Sequence, residues 1–256
     1  MQNLKLLDYT KKRLDDMRLV MYAIKNDVNI KKGDIIDNID IYTIVVINKR
    51  GIRQLVGFYQ DRPLNNRYWL DIFENFKSRG LDTVLFLSVD DNKNFKRTAK
   101  IAFPMINFVD SLTYVTSKFN KYVTEKSSNK VVSRIHKLYV QNTIGDYKKE
   151  LDIFKENYNN IIHQKLIAKY LSNLEALYKY SYNIRNLLFK PSANARIYDR
   201  IRLSFNSNES YIIDLNEVYE KLESMDRFFG FISFNKKQWT LILNDLMLLY
   251  PDKEFI

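Results

Sequence analysis

The chain of 256 residues contains no cysteine and is poor in histidine, glycine and proline. The lack of cysteine excludes a disulfide scaffold, a thiolate zinc site, iron–sulfur chemistry and a cysteine nucleophile. Two histidines, His136 and His163, are too few for a multi-histidine metal centre. Six glycines and four prolines exclude a collagen-like or low-complexity chain. The glycines are also too scattered to form a phosphate-binding loop.

Long apolar runs are missing as well. No segment approaches the roughly 18 uninterrupted apolar residues that a membrane span needs. The first residues, MQNLKLLDYTKKRLDD, lack the apolar stretch of a secretory signal. We therefore expect a cytoplasmic protein without a membrane partner. Apolar residues nevertheless make up 46% of the chain and aromatic residues 14%, which supplies a sizeable core and excludes intrinsic disorder.

Positive charge is abundant. The chain has 41 Lys and Arg residues against 30 Asp and Glu residues, so its formal net charge is +11. Such an excess favours a polyanion partner, because neutralised phosphates release condensed counterions; the alternative is a role in solubility alone. Basic residues concentrate between 165 and 202, whereas acidic residues dominate from 214 to 226. The candidate polyanion contacts are Lys165, Lys169, Lys179, Arg185, Lys190, Arg196, Arg200 and Arg202.

The first half of the chain is typical of an α/β domain. Three β-branched or apolar runs in succession predict three antiparallel strands, with Gly51 in the turn between the second and the third. A helix ended by Gly80, a buried strand, a second helix and a short strand follow. The predicted strands are 19–24, 41–47, 55–59, 83–89 and 105–110, and the predicted helices are about 66–78 and 92–102.

From about Ser117 the apolar residues recur with the 3.6-residue period of helices. Two further helices are predicted over 215–228 and 236–249, the second ended by Pro251. The apolar stripes are expected to form core rather than ligand sites. They consist of Tyr147, Leu151, Phe154 and Tyr158, and of Leu166, Tyr170, Leu174 and Leu177.

Asp90 is the position with the clearest chemical character. It follows a buried strand, and ligands in open α/β sheets gather at the carboxyl ends of strands. A carboxylate there suits a divalent cation. On these residues alone we favour the alternative that Asp90 or Asp91 caps the next helix. His136 and His163 lie in polar helical surroundings, which indicate solvated side chains rather than catalysts.

Several short motifs occur in a fixed order along the chain. Between residues 55 and 104 they are LVGFY, Tyr68–Trp69, Lys77–Gly80, Val89–Asp91 and Ala99–Pro104. RLDDMRLVMYAI precedes them, and KLYVQNTIGDYKKELDIFKENY and KKQWTLILNDLMLLYPDK follow. With these motifs in this order the chain resembles bacterial mutator-type insertion-sequence transposases over nearly its whole length. It departs from the family where Asp91 replaces a glycine.

The resemblance implies an RNase H-like α/β fold, in which a mixed five-stranded sheet carries helices on both faces. It divides a single domain into a β-β-β-α-β-α-β part (1–116), a helical insertion (117–190) and C-terminal helices (191–256). The family's N-terminal region that binds DNA ends has no counterpart before the first strand. We therefore expect either a fragment or a shortened derivative of such a transposase.

The family's chemistry uses an Asp–Asp–Glu triad that holds two Mg²⁺ ions for in-line attack on a phosphate. Carried over, the first Asp falls on Ile24, the second on Asp90 and the Glu on Ala195. The family's Cys-x-x-His falls on Ser111 and Tyr114. Two of the three carboxylates are thus replaced, and we expect Ile24, Asp90 and Ala195 to converge within about 10 Å at one edge of the sheet.

The resemblance implies a transposase-family protein of DNA transposition, and the replaced triad predicts a catalytically inactive DNA-binding derivative. Its expected partners are double-stranded DNA and either a second copy or a related transposase, with a nucleoid-associated location in the cytoplasm. No cofactor is expected, and an active protein would hold Mg²⁺ at Asp90. Two alternatives stay open. One is an active transposase with divergent metal ligands around Asp90, and the other is a non-catalytic protein-interaction module.

Overall fold

The structure of the chain is a computed structural model. It describes residues 13–14, 17–32, 35–60, 67–123, 125–158, 162, 164–189 and 234–255. The described residues form two compact units, one up to Val109 and the other from Asp110 onward. The helix predicted over 215–228 lies outside the described residues.

A mixed five-stranded sheet with the order β3-β2-β1-β4-β5 organises the first unit. β1 pairs antiparallel with β2, β2 pairs antiparallel with β3, and β4 runs parallel to β1. The order and directions are those of an α/β fold and are compatible with an RNase H-like domain. The strands are β1 (Met17–Lys32), β2 (Ile35–Asn48), β3 (Arg53–Gln60), β4 (Thr83–Val89) and β5 (Asn107–Asp110).

The turn between β2 and β3 is the one predicted at Gly51. The Asn48 side-chain oxygen accepts hydrogen bonds from the backbone N–H groups of Arg50 and Ile52, both at 3.0 Å. Gly51 has a φ of 76°, in the left-handed region that glycine enters without a steric penalty. Local side-chain bonding and one glycine therefore set the register of this hairpin.

Two helices, α1 (Tyr68–Ser78) and α2 (Lys93–Ala102), pack with one face of the sheet. Their aromatic side chains interlock with Tyr42 of β2. The ring centroids of Trp69 and Phe95 are 4.5 Å apart, and those of Tyr42 and Phe95 are 5.6 Å apart. The burial of these rings fixes the position of α2, which begins just after Asp90. A helical layer on the other face stays a prediction.

β1 and β2 are longer than the sequence predicts. Beyond Ile24, where the apolar run ends, the strands continue as a hairpin in which Asp27 lies opposite Asp40 and Lys32 opposite Ile35. Lys25 forms a salt bridge with Asp40 at 2.7 Å. The mixed polar sequence of this hairpin hid its strand character, because cross-strand pairing rather than an apolar run maintains it.

The second unit is helical, as its 3.6-residue period predicts. Tyr147, Leu151 and Phe154 of one stripe are buried. The other stripe spans two elements, because α6 ends at Tyr170 and a 3-10 helix follows. The helices are α3 (Leu112–Asn120), α4 (Glu125–Tyr139), α5 (Ile144–Tyr158), α6 (Gln164–Tyr170), the 3-10 helix (Ser172–Lys179), α7 (Tyr182–Phe189) and α8 (Lys236–Leu249).

The last helix, α8, has the bounds that the sequence predicts. Asn235 and Gln238 form a reciprocal capping box at its start, which satisfies two backbone donors. In the part of the chain that the structure describes, neither α8 nor any other helix is long and apolar enough to cross a membrane.

Candidate functional site at the end of strand β4

Asp90 lies where β4 ends, and its carboxylate is bound by a tyrosine from two strands away. The Tyr42 hydroxyl donates to Asp90, with its oxygen 3.0 Å from Oδ1 and 3.2 Å from Oδ2. The Asn92 side-chain amide donates to the same tyrosine hydroxyl at 3.1 Å. The Tyr42 ring is buried, with 1% of its surface exposed. Hydrogen bonds from Asn92 to Tyr42 and from Tyr42 to Asp90 therefore join β2 to the residues that follow β4.

The helix after β4 is capped by Asn92, and the expectation that Asp90 or Asp91 caps it is wrong. The Asn92 side-chain oxygen accepts from the backbone N–H of Phe95 at 2.9 Å. Asn is as good an N-cap as Asp, and the extended backbone of Asn92 places its oxygen over the first turn. This leaves the Asp90 carboxylate to interact with Tyr42 instead.

Ile24 and Asp90 are carried by neighbouring parallel strands. Tyr22 of β1 lies opposite Ser88 of β4. The paired register ends there, two residues before Ile24 and Asp90. On its other side Ile24 pairs with Thr43 of β2. Because side chains alternate along a strand, Ile24 and Thr43 face away from Tyr42, which lies on the face that α1 and α2 cover. Ala195, the third triad position, lies outside the described residues, so the convergence of all three stays a prediction.

The described residues around Asp90 do not fit a two-metal cluster. Mg²⁺ requires near-octahedral oxygen ligands, and a pair of ions needs several carboxylates to balance its charge. Here both oxygens of Asp90 accept from the Tyr42 hydroxyl, and Ile24 supplies no ligand atom. Among the residues that the structure describes, no group of three or more His, Asp or Glu side chains is arranged to hold a metal ion.

Three of the predicted polyanion contacts lie exposed on the second unit. Lys165, Lys169 and Lys179 all have exposed side chains. The Lys169 ammonium lies 4.9 Å from the ring centroid of Tyr170, and the Lys179 ammonium lies 4.9 Å from that of Tyr180. A tyrosine ring beside an exposed ammonium provides a stacking surface next to a positive charge.

Arg185 is not a surface cation, in contrast to the expectation. Its side chain is 2% exposed. Its guanidinium donates to the backbone carbonyls of Tyr180 at 3.2 Å, Gln141 at 2.7 Å and Asn142 at 3.0 Å. Burial lowers the pKa of this group from its ordinary value. Arg185 thus joins two loops of the second unit and is unavailable to a DNA backbone.

The remaining predicted contacts, Lys190, Arg196, Arg200 and Arg202, lie outside the described residues, as does His163. The structure places His136 on α4, half-buried, and desolvation lowers the pKa of its imidazole. Ser111 precedes α3, and the hydroxyl oxygens of Tyr114 and Tyr170 are 3.3 Å apart.

Sequence reasoning missed Tyr42 and Asn92, which determine what Asp90 does. Tyr42 lies in the run IYTIVVI. Its hydroxyl, among β-branched neighbours, is the only feature that could have indicated a hydrogen-bonding role. Its partner is 48 residues away in sequence, so no local pattern connects them. Asn92 follows two aspartates, which are equally suitable as N-caps, so the sequence did not distinguish Asn92 as the capping residue.

The comparisons with known proteins point to one family. The sequence profile described as "Transposase, Mutator family" matches residues 5–209. The chain is similar to a "Probable transposase for insertion sequence element ISRM3-like" from Sinorhizobium fredii, and to the "Transposase for insertion sequence element ISRM3" from Rhizobium meliloti. Each is 19% identical over 183 residues, which are 70% of this chain and 46% of the relative.

The chain thus spans about half the length of the curated relatives that it matches. The profile covers the sheet, the helices α1 and α2 and most of the second unit, including the motifs from LVGFY to Ala99–Pro104. The match extends over well more than half of the residues and agrees with the mixed five-stranded sheet. The chain belongs to the mutator family of transposases.

Proposed function

We propose that this chain is a DNA-binding protein of the transposition machinery that has lost phosphoryl-transfer chemistry. The observation that carries the proposal is the state of Asp90. In this family a carboxylate at that position would share two metal ions with other acidic residues. Here it accepts from Tyr42, and Ile24, in the neighbouring strand β1, carries no carboxylate.

The Tyr42 hydroxyl supplies a neutral hydrogen-bond donor to the carboxylate. A phenol that donates to an ionised carboxylate makes a charge-assisted hydrogen bond. A metal ion binding at Asp90 would have to displace this donor and would gain no second carboxylate from Ile24. The donor set therefore supports a structural role for Asp90, and no catalytic step is assigned to it.

The basic surface of the second unit supports binding to double-stranded DNA. Lys165, Lys169 and Lys179 are exposed and lie in the basic stretch 165–202. Lysine side chains bind phosphates as point charges and carry no base preference. We expect binding that depends strongly on salt and only weakly on sequence.

A salt series on duplex DNA tests the proposal. The logarithm of the affinity is expected to fall linearly with the logarithm of the salt concentration, by about 0.9 per neutralised phosphate. Replacing Lys169 by Gln should reduce this slope by about 0.9 if that residue makes one contact. Lys236→Gln is the matched control, because Lys236 is an exposed lysine at the start of α8 outside the basic stretch.

The result also separates the alternatives. No detectable binding at low salt, or affinity that does not change with salt, would refute the DNA-binding function and favour a protein-interaction module. Calorimetry with Mn²⁺ addresses the active alternative. We expect no sub-millimolar site, and two such ions that are lost in Asp90→Asn would support an active transposase.

A further inference from the structure

The second unit also contains an open cavity of about 750 Å³. Its walls come from the loop between α4 and α5, the end of the 3-10 helix and the start of α7. A volume of this size is within the usual range of small-ligand pockets, roughly 300–1,000 Å³. The residues that carry the argument are Asn142, Glu175, Tyr178, Lys179, Tyr182 and Arg185.

Two basic side chains, one buried and one exposed, line the cavity. The buried one is Arg185, whose guanidinium donates to three backbone carbonyls and lies 4.0 Å from the centroid of the Tyr178 ring. Among the described residues no carboxylate lies within salt-bridge distance of its guanidinium. Lys179 adds an exposed ammonium at the rim. The lining carboxylate, Glu175, is paired with Lys148 at 3.0 Å, which offsets part of its charge.

Two helices also begin at this cavity. α5 starts at Ile144 and α7 starts at Tyr182, and both residues line it. The N-terminal ends of helices carry partial positive charge. Both ends are already capped, because Thr143 bonds to Asp146 and Ser181 bonds to Asp245, so the positive charge that the cavity offers a ligand is that of Arg185 and Lys179.

The aromatic side chains divide into structural and accessible ones. The Tyr178 ring is occupied, because the Arg185 guanidinium lies 4.0 Å from its centroid and the Tyr147 ring is 4.8 Å away, centroid to centroid. The Tyr178 hydroxyl donates to the Leu138 carbonyl at 2.6 Å. Tyr182, by contrast, is 42% exposed. Its ring is the flat surface that the cavity offers to a ligand.

An accessible aromatic ring beside an exposed ammonium matches the two parts of a nucleotide. Bases stack on aromatic rings whatever their sequence, and lysine pairs with the phosphate. A fully paired duplex keeps its bases in the stack and cannot present one to Tyr182 without unpairing it. We propose that the cavity binds one unpaired nucleotide of a DNA strand, with its base on Tyr182 and its phosphate at Lys179. This rests on the proposed DNA-binding function.

Two duplexes of the same sequence test the proposal, one fully paired and one with a single-nucleotide bulge. The wild-type protein should bind the bulged duplex more tightly. Tyr182→Ala should weaken binding of the bulged duplex by roughly 5- to 150-fold, the range that loss of one stacked base gives. Binding of the paired duplex should be unchanged. Tyr182→Phe should keep the preference, because the ring and not the hydroxyl stacks.

Tyr122→Ala is the matched control, since Tyr122 is a 51% exposed tyrosine of the same unit that does not line the cavity. A thermal melt of each variant establishes that it is folded. Equal wild-type affinity for the two duplexes would overturn the inference and leave the DNA-binding function standing. So would a Tyr182→Ala variant that keeps the bulge preference, or one that weakens both duplexes equally. Failure to bind either duplex at low salt would instead refute the DNA-binding function itself.

Discussion

Replacing Tyr42 by Phe tests whether the hydroxyl of this residue is what satisfies Asp90. The substitution removes one oxygen atom and leaves the ring in place. That ring packs against Trp69 and Phe95, with centroids 5.2 Å and 5.6 Å away. Because the apolar contacts are kept, the loss of stability reports the hydrogen bonds rather than a cavity in the core.

The expected cost follows from the two bonds that the hydroxyl makes. Hydrogen bonds to charged groups contribute about 1.5–3 kcal/mol to stability. Asp90 is only partly buried, so water can replace part of the donor, which places the expected loss toward the lower limit of that range. The Asn92 amide, which donates to the same hydroxyl at 3.1 Å, loses its acceptor as well. We expect Tyr42→Phe to lower the free energy of unfolding by about 1–2 kcal/mol.

A double-mutant cycle with Asp90→Asn isolates the interaction. Unfolding in urea gives the free energy for the wild type, both single variants and the double variant. Residues in one hydrogen-bond network couple, by about 0.5–3 kcal/mol in such cycles. Tyr158→Phe is the control, because Tyr158 contacts the Phe154 ring and its hydroxyl makes no hydrogen bond among the described residues. Its expected effect is within about 0.5 kcal/mol.

The reasoning fails if the effects of Tyr42→Phe and Asp90→Asn are additive within about 0.3 kcal/mol. It fails equally if Mg²⁺ raises the melting temperature of the wild type and this rise disappears in Asp90→Asn. In the first case the tyrosine does not bond to the carboxylate in solution. In the second a cation occupies the position that the structure gives to the hydroxyl.

Three further predictions concern capping and titration. Asn92→Ala should lower the free energy of unfolding by about 1 kcal/mol in urea denaturation, because α2 loses its side-chain cap. The pKa of His136 is lowered in the folded protein, so as the pH falls below the ordinary histidine pKa of 6.5 the unfolded chain takes up a proton before the folded one does. Stability should therefore decrease from pH 7 to pH 5, and His136→Gln should flatten that dependence. Burial raises the pKa of Tyr178 to about 12 and that of Tyr139 well above its ordinary value of 10. The contribution of these tyrosines to stability should therefore be full below pH 10 and fall above it, and their tyrosinate absorbance at 295 nm should develop only at higher pH. Titration of every tyrosine near pH 10 in the folded protein would contradict these burials.

The sequence predicted the elements that an apolar pattern defines by itself. The bounds of β4 and α8 coincide with the predicted ones, because a short, mostly apolar run and a capped helix are local signals. The antiparallel hairpin at Gly51 was predictable for the same reason. The extension of β1 and β2 beyond Ile24 was not, since its sequence mixes polar and apolar residues and only the cross-strand pairing identifies the strands.

The sequence predicted where the candidate site lies but not which side chains interact there. The end of a buried strand identified Asp90, but the partner of its carboxylate comes from β2 and depends on how the aromatic rings of α1 and α2 pack. The side chain of Arg185 likewise gave no sign of its burial. Its positive charge in a basic stretch favoured the surface, whereas the nearby Tyr180 carbonyl and two carbonyls of the distant loop at Gln141 and Asn142 hold it inside.

The absence of strand cleavage is the central claim, and one assay tests it most directly. The protein is incubated with supercoiled plasmid DNA in Mn²⁺, at a salt concentration where binding is complete, and the DNA is analysed for nicks. We predict that the DNA is bound and stays intact, for the wild type and for Asp90→Asn alike. Nicking that requires the metal and is lost in Asp90→Asn would contradict this account, because it would show a working metal site at the carboxylate that Tyr42 binds.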